Sequence, residues 1–230
     1  MRDLREDLEP VWRAAARIST SASGGRVIMF TSARIGEGVT SMAASFACIA
    51  ARRSDKPVWM VDLDFRRNPV FKGFQDGFAR DVGAPGRAYD ASLRQEPIYR
   101  VTPRVEGSRQ AKMLTAHDID GLSLLVTRFR GDRLKSDQKV RTQQAPAWWQ
   151  ALRGISSWAI VDAPALERSS AAATMASVVD GIILVVTADQ TTAQDIEAAR
   201  QELEAQNGRV LGVVMNRIRG DAQFADRFSA

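Results

Sequence analysis

The residues with the clearest chemical potential run from Thr31 to Ser41, Thr31-Ser32-Ala33-Arg34-Ile35-Gly36-Glu37-Gly38-Val39-Thr40-Ser41. An apolar run, Val27–Phe30, precedes them, and a helix-forming stretch, Thr40–Arg52, follows. A glycine-containing turn between strand and helix suits an anion, because its backbone N–H groups wrap the charge and the helix N-terminus adds its dipole. Gly36 and Gly38 permit close approach and left-handed backbone angles. The hydroxyl of Thr40 or Ser41 would serve Mg2+. Against the full phosphate-loop pattern G-x-x-x-x-G-K-[ST], Ala33 stands at the first glycine and Val39 at the lysine. Alone, this segment reads equally as an ordinary glycine turn. Two further segments change the balance. Val58–Val61 runs into Asp62-Leu63-Asp64-Phe65-Arg66-Arg67-Asn68-Pro69, and Trp158–Val161 runs into Asp162-Ala163-Pro164. Ligands of open α/β sheets bind at the carboxyl ends of strands, where these carboxylates fall. Asp162 is placed to hold Mg2+ through water. Any one of the three aspartates reads equally as a helix cap or turn residue; together, after a glycine-rich strand-to-helix turn, they form a constellation.

The elements that must position these groups are legible as short apolar runs: Val27–Phe30, Val58–Val61, Leu122–Val126, Trp158–Val161, Ile182–Val186 and Val210–Met215. They are continuous rather than alternating, as in strands covered on both faces. Helix-like stretches lie between several of them, at Thr40–Arg52, Ala147–Arg153 and Ala193–Gln206, the last stopped by Asn207-Gly208. Strand and helix in alternation predict an α/β fold: a doubly wound, mainly parallel sheet with helices on both faces. Residues 3–17 predict a helix, with Leu4, Leu8, Val11 and Trp12 at helical spacing around Pro10. Ser19 to Gly25 reads as a flexible joint. The expected organisation is therefore an N-terminal helix and linker over 1–25 and a phosphate-loop domain over 26–230. Residues 66–120, rich in Gly and Arg, read as a loop region with one or two short helices. His117 reads as a loop or cap residue, Cys48 as core, and Trp148 and Trp149 as one buried and one exposed ring on a short helix.

The chain has 230 residues, 45% hydrophobic and 26% charged, ordinary values for a globular domain. No apolar run approaches the roughly 20 residues that span a bilayer. MRDLREDLEP carries no apolar stretch after its first charges, which argues against a secretory signal and for a cytoplasmic location. The single cysteine excludes an internal disulfide framework, and a single histidine builds no zinc site unaided. The net charge of +5 is concentrated between Arg94 and Arg141, where 11 Lys/Arg face 6 Asp/Glu. Such a segment meets nucleic acid, anionic lipid or an acidic partner, or is simply a solvated surface. Without regularly interleaved aromatics it gives nucleic-acid binding little support.

The set TSARIGEGVTS, VWMVDLDFRRNP, WAIVDAPA, DGIILVV and VLGVVMNR resembles the bacterial tyrosine-kinase (BY-kinase) family of polysaccharide co-polymerases. That family belongs to the deviant phosphate-loop group that includes the MinD/ParA-like septum-positioning and plasmid-partition ATPases. Its motifs read like SAxPGEGKS, DxDLRRP and DTPP, and the resemblance is strong over residues 25–70 and 155–220. It implies a nucleotide site for ATP or ADP with Mg2+. In that site Gly36, Glu37, Gly38, Thr40 and Ser41 match the phosphate loop, and Asp62 and Asp64 match the acidic motif serving the metal and the attacking group. Thr40, Asp64 and Asp162 match metal ligands, Asn216 matches an adenine reader, and Thr187 to Gln190 fall near the base.

This chain departs from the family at Val39, which replaces the lysine bridging the β- and γ-phosphates. Valine is apolar and β-branched and supplies no charge, so nucleotide binding is expected to be weakened or lost. Arg34 sits where the partition-type ATPases carry a second, signature lysine, and it either reaches a phosphate or is an exposed loop arginine. The family's tyrosine-rich tail has no counterpart in the final AspArgPheSerAla; Tyr89 and Tyr99 are internal, and Tyr99 on the basic segment is a remote candidate for modification. The family's N-terminal oligomerisation motif is only echoed by Glu9, Arg13 and Arg17, while Trp12 is a candidate partner anchor. The resemblance implies a degenerate partner of the cytoplasmic part of an inner-membrane polysaccharide co-polymerase. That partner would be peripheral to the membrane, with a homo-oligomer as one arrangement, serving exopolysaccharide export of the capsule or holdfast type. The alternatives are an active ATPase or tyrosine kinase with Arg34 compensating for the lysine, and a partition-type scaffold on membrane or DNA.

Overall fold

Six apolar runs become adjacent parallel strands; helices cover both faces of the central ones, while the edge strand leaves Val213 and Met215 exposed. In the computed structural model, which describes residues 1–18, 24–103 and 112–218, these strands are β1 (Arg26–Ser32), β2 (Val58–Asp62), β6 (Leu122–Phe129), β8 (Trp158–Asp162), β9 (Gly181–Thr187) and β10 (Val210–Asn216). The eight-stranded sheet has the order β10-β9-β1-β8-β2-β6-β5-β3, with β5 (Leu114–Ile119) and β3 (Pro85–Asp90) closing one edge through antiparallel pairing. Alternate residues of one strand enter different cores. Ile28 and Phe30 face the layer of α1 (Arg5–Ala15), α2 (Val39–Ala51) and α3 (Pro69–Gln75). Val27 and Met29 face α4 (Pro146–Ile155), α5 (Ala171–Met175) and α6 (Ala193–Ala205). The fold is the doubly wound, mainly parallel sheet that the alternation predicts.

The strand order places the site. From β1 the chain crosses through α2 to β2, two places along the sheet, while from β8 it returns past β1 to β9 and β10. The reversal leaves a crevice beyond the carboxyl ends of β1, β8 and β2. Phe30 lies opposite Asp162, and Asp162 opposite Asp62, across neighbouring parallel strands.

Residues 66–120 differ from the sequence expectation. They contain α3 as the short helix, but also β3, β5 and β4 (Tyr99–Thr102), the last paired with β7 (Lys139–Thr142) in a separate two-stranded ribbon. A signal was present in Asp120-Gly121, a two-residue hairpin turn with Gly121 at φ +75° joining β5 to β6. His117 is a buried strand residue rather than a loop or cap. Trp148 and Trp149 are both buried, because α4 lies flat on the sheet with their rings packed edge to face. Tyr99 is 5% exposed and its hydroxyl accepts from the Met113 N–H, so it is a core residue and not an accessible target.

Trp12 packs against its own domain, with the Arg53 guanidinium 4.5 Å over its ring. Glu9 takes both Arg13 and Arg53, so the echo of the oligomerisation motif is engaged within the chain. Cys48 is buried, and burial pushes its thiol up to about 12. The joint expected at 19–25 and the final residues from 219 onward fall largely outside the described residues, as do 104–111 of the basic segment. No helix among the described residues is long and apolar enough to cross a membrane.

Candidate functional site

β1 delivers the loop, and two glycines let it turn. Gly36 and Gly38 hold φ values of +87° and +92°, which side-chain-bearing residues rarely adopt. A Cβ at Gly38 would also stand 2.2 Å from Asn216 Nδ2. The backbone N–H groups from Gly36 through Ser41 meet no protein acceptor among the described residues. They include the first turn of α2, whose orphan donors and dipole favour an anion.

Glu37 fastens this loop from inside. Its carboxylate, 3% exposed, accepts the N–H of Arg34 at 2.9 Å and of Thr187 at 3.0 Å, and a short bond from the Thr191 hydroxyl. Asn216 donates through Nδ2 to the Glu37 carbonyl at 2.8 Å, so here its amide braces the loop. Glu37 and Asn216 thereby tie the turn to the ends of β9 and β10.

The acidic groups converge on the same crevice. Thr40 Oγ1 donates to Asp162 Oδ2 at 2.8 Å. Burial drives the Asp162 carboxyl up to about 7, and the Asp64 charge adds to this while the Thr40 bond and the Arg168 charge oppose it. Asp62 is buried and likewise raised, first by burial and then by the facing Asp162, although the N–H groups of Val70 and Asp64 donate to it. Asp64 is paired with Arg168 at 2.6 Å. Ser41, the other hydroxyl candidate, accepts the N–H of Arg2 at 3.0 Å, which leaves Thr40 as the hydroxyl facing Asp162.

The cleft bounded by this loop has a volume of about 230 Å3 and is lined by Thr40, Asp64, Asp162 and Arg168 among others. Its donor set fits a phosphate group held by backbone N–H groups. It also fits a hydrated Mg2+ on Thr40 and Asp162, an ion that binds through few protein ligands together with substrate phosphates. When bound, Mg2+ would neutralise phosphate charge there. Val39 is 9% exposed and packs into the α1–α3 core, so no side chain at the lysine position reaches a phosphate. Arg34 is half exposed, 3.0 Å from Asp195 at the start of α6, and does not line the cleft. The cation that does is Arg168, which sequence reasoning missed. Its only signal is its place six residues after Asp162, in Asp162-Ala163-Pro164-Ala165-Leu166-Glu167-Arg168. Two other missed contacts brace the loop: Glu167 accepts the Ile35 N–H, and Arg217 donates to the Gly36 carbonyl at 3.0 Å.

Known structures share this fold. The VpsO kinase domain superposes with a TM-score of 0.61 at 18% identity, covering 94% of both chains. The kinase domain of the Escherichia coli tyrosine kinase ETK gives 0.59 at 18% identity, over 94% of this chain and 76% of that one. The fold is that of bacterial tyrosine-kinase domains and MinD/ParA-like ATPases. For the second group, a chain of the MinC:MinD cell division protein complex of Aquifex aeolicus gives 0.54 at 20% identity, over 89% of this chain and 73% of that one. By sequence the chain is similar to the tyrosine-protein kinase CpsD of Streptococcus agalactiae, at 29% identity over 69 residues, which is 30% of this chain and 30% of that relative. The matched stretch thus spans under a third of the curated relative. No protein-family model matches the chain.

Proposed function

We propose that this chain is a catalytically degenerate BY-kinase-like protein. It acts as a cytoplasmic partner or regulator of a membrane polysaccharide co-polymerase in exopolysaccharide biosynthesis and export, peripheral to the inner membrane. One observation carries the reading: the loop, its unpartnered N–H groups and the three strand-end carboxylates are retained, while the lysine position holds a buried valine. In phosphoryl transfer the protein supplies mainly positioning and charge stabilisation, and the missing group is one of the principal charges. The cradle then acts by shape and contact, with ATP or ADP and Mg2+ held weakly.

The test is a titration of a fluorescent ATP analogue with Mg2+, run beside an ATP-hydrolysis and self-labelling assay, on the wild type and on Val39→Lys. A charge-assisted hydrogen bond contributes roughly 1.5–3 kcal/mol, so the lysine should tighten binding by about ten- to a hundred-fold. The wild type should show no self-labelling. Turnover by the wild type at ordinary kinase rates would defeat the proposal.

A second reading, an active ATPase with a substitute cation, is favoured by the position of Arg168 beside Asp64. It requires turnover that Arg168→Ala abolishes; the corresponding role for Arg34 has less support, because that side chain is engaged with Asp195.

A further inference from the structure

Beside the phosphate cleft, and sharing Asp64, Pro164 and Arg168 with it, lies a second groove of about 780 Å3. It runs between the β2–α3 turn, β7 and the segment after β8. Arginines arrive in it from each of these: Arg66 and Arg67, Arg141, and Arg168. One carboxylate faces them, Asp64, and it is already paired with Arg168. Arg66, Arg67 and Arg141 are exposed and have no ion-pair partner among the described residues. The hydroxyls of Ser170 and Thr174 add neutral donors to the same wall.

The supporting ribbon is arranged against its own stability. Arg141 stands directly opposite Arg100 across β4 and β7, and Lys139 opposite Thr102 two residues along. Like charges directly opposite in an antiparallel pair are destabilising. A multivalent anion in the groove would relieve that repulsion. Guanidinium forks match phosphate oxygens in a bidentate fashion, which a lysine-lined surface would not do. Three uncommitted positive charges balance the charge of a diphosphate ester rather than that of a single carboxylate.

We propose that this groove binds a diphosphate group, presented either by a soluble ester or by a lipid headgroup, next to the phosphate cleft. The proposal goes beyond the function argued above and stands whether or not the loop holds nucleotide.

The experiment is calorimetric titration of the full chain with inorganic pyrophosphate in the absence of Mg2+, and sedimentation with phosphatidylcholine vesicles with or without a prenyl diphosphate. The double variant Arg66→Ser/Arg141→Ser alters only groove residues that do not line the phosphate cleft. It should weaken pyrophosphate binding at least tenfold while melting no lower than the wild type, since removing Arg141 relieves its repulsion with Arg100. A charge-matched control, Arg13→Ser/Arg80→Ser, should change binding less than twofold. Arg66→Lys/Arg141→Lys, which keeps charge but loses the fork, should fall between and serves if the serine variant folds poorly. Binding in free solution identifies a soluble ester, and binding only to doped vesicles identifies a headgroup; either supports the proposal. Equal loss in the groove and control variants would overturn it. So would binding of a polyglutamate peptide as tight as that of pyrophosphate, or no binding to either probe.

Discussion

Glu37→Ala tests whether the phosphate loop is held by an internal carboxylate clamp rather than by glycine flexibility alone. The substitution removes the acceptor of two backbone N–H groups, Arg34 and Thr187, and of the Thr191 hydroxyl. A buried donor left without a partner costs about 1–3 kcal/mol. Thr187 keeps a partial alternative, because its N–H also reaches the Thr191 hydroxyl at 3.0 Å. The net loss should therefore be about 2–4 kcal/mol. For a chain of this size each kcal/mol shifts the melting temperature by roughly 2–4 °C, so a drop of about 5–15 °C is expected. Glu37→Gln retains one acceptor oxygen at the same reach and should lose about half as much. The assay is thermal melting followed by circular dichroism, with hydrogen exchange read at residues 34–41 and 187–191. Exchange should accelerate in both segments together, because one side chain joins them. A Glu37→Ala melt within 1 °C of the wild type, or faster exchange confined to 34–41, would refute the clamp.

Two further outcomes follow from the same geometry. In metal-free, nucleotide-free protein the Asp162 carboxyl, usually near 3.8, is held at about 7, so the folded state carries more protons than the unfolded one across that window. Stability should therefore fall as pH rises from about 4 to about 7, and Asp162→Asn should flatten the dependence of melting temperature on pH measured in chelator. An unchanged slope in the variant would remove Asp162 as its source. Trp148→Ala empties a fully buried indole and strands the Ala91 carbonyl now bonded to Nε1 at 2.8 Å; it should lower unfolding free energy in urea by about 3–5 kcal/mol without changing the loop's exchange rates.

The sequence alone determined the layered fold. Continuous apolar runs separated by helical stretches admit few solutions other than a covered parallel sheet, and strand-end aspartates must then fall along one edge of it. It also determined that position 39 carries no charge, because no folding can give an isopropyl group one. The antiparallel strands within residues 66–120 escaped notice because Gly- and Arg-rich segments such as β3 and β4 carry little apolar periodicity; their pairing comes from the neighbouring β5 and β7. Only the tertiary structure decided which cation meets the acidic cluster. Arg34 is adjacent to the loop in sequence but turns to Asp195, whereas Arg168, 104 residues from Asp64, completes the cleft. It likewise made Glu37 and Asn216 braces of the loop, because Thr187 at the end of β9 and Asn216 at the end of β10 meet Glu37 across 150 and 179 residues of sequence. Side-chain partnership across elements depends on register and on strand order, and neither is written in local residue spacing.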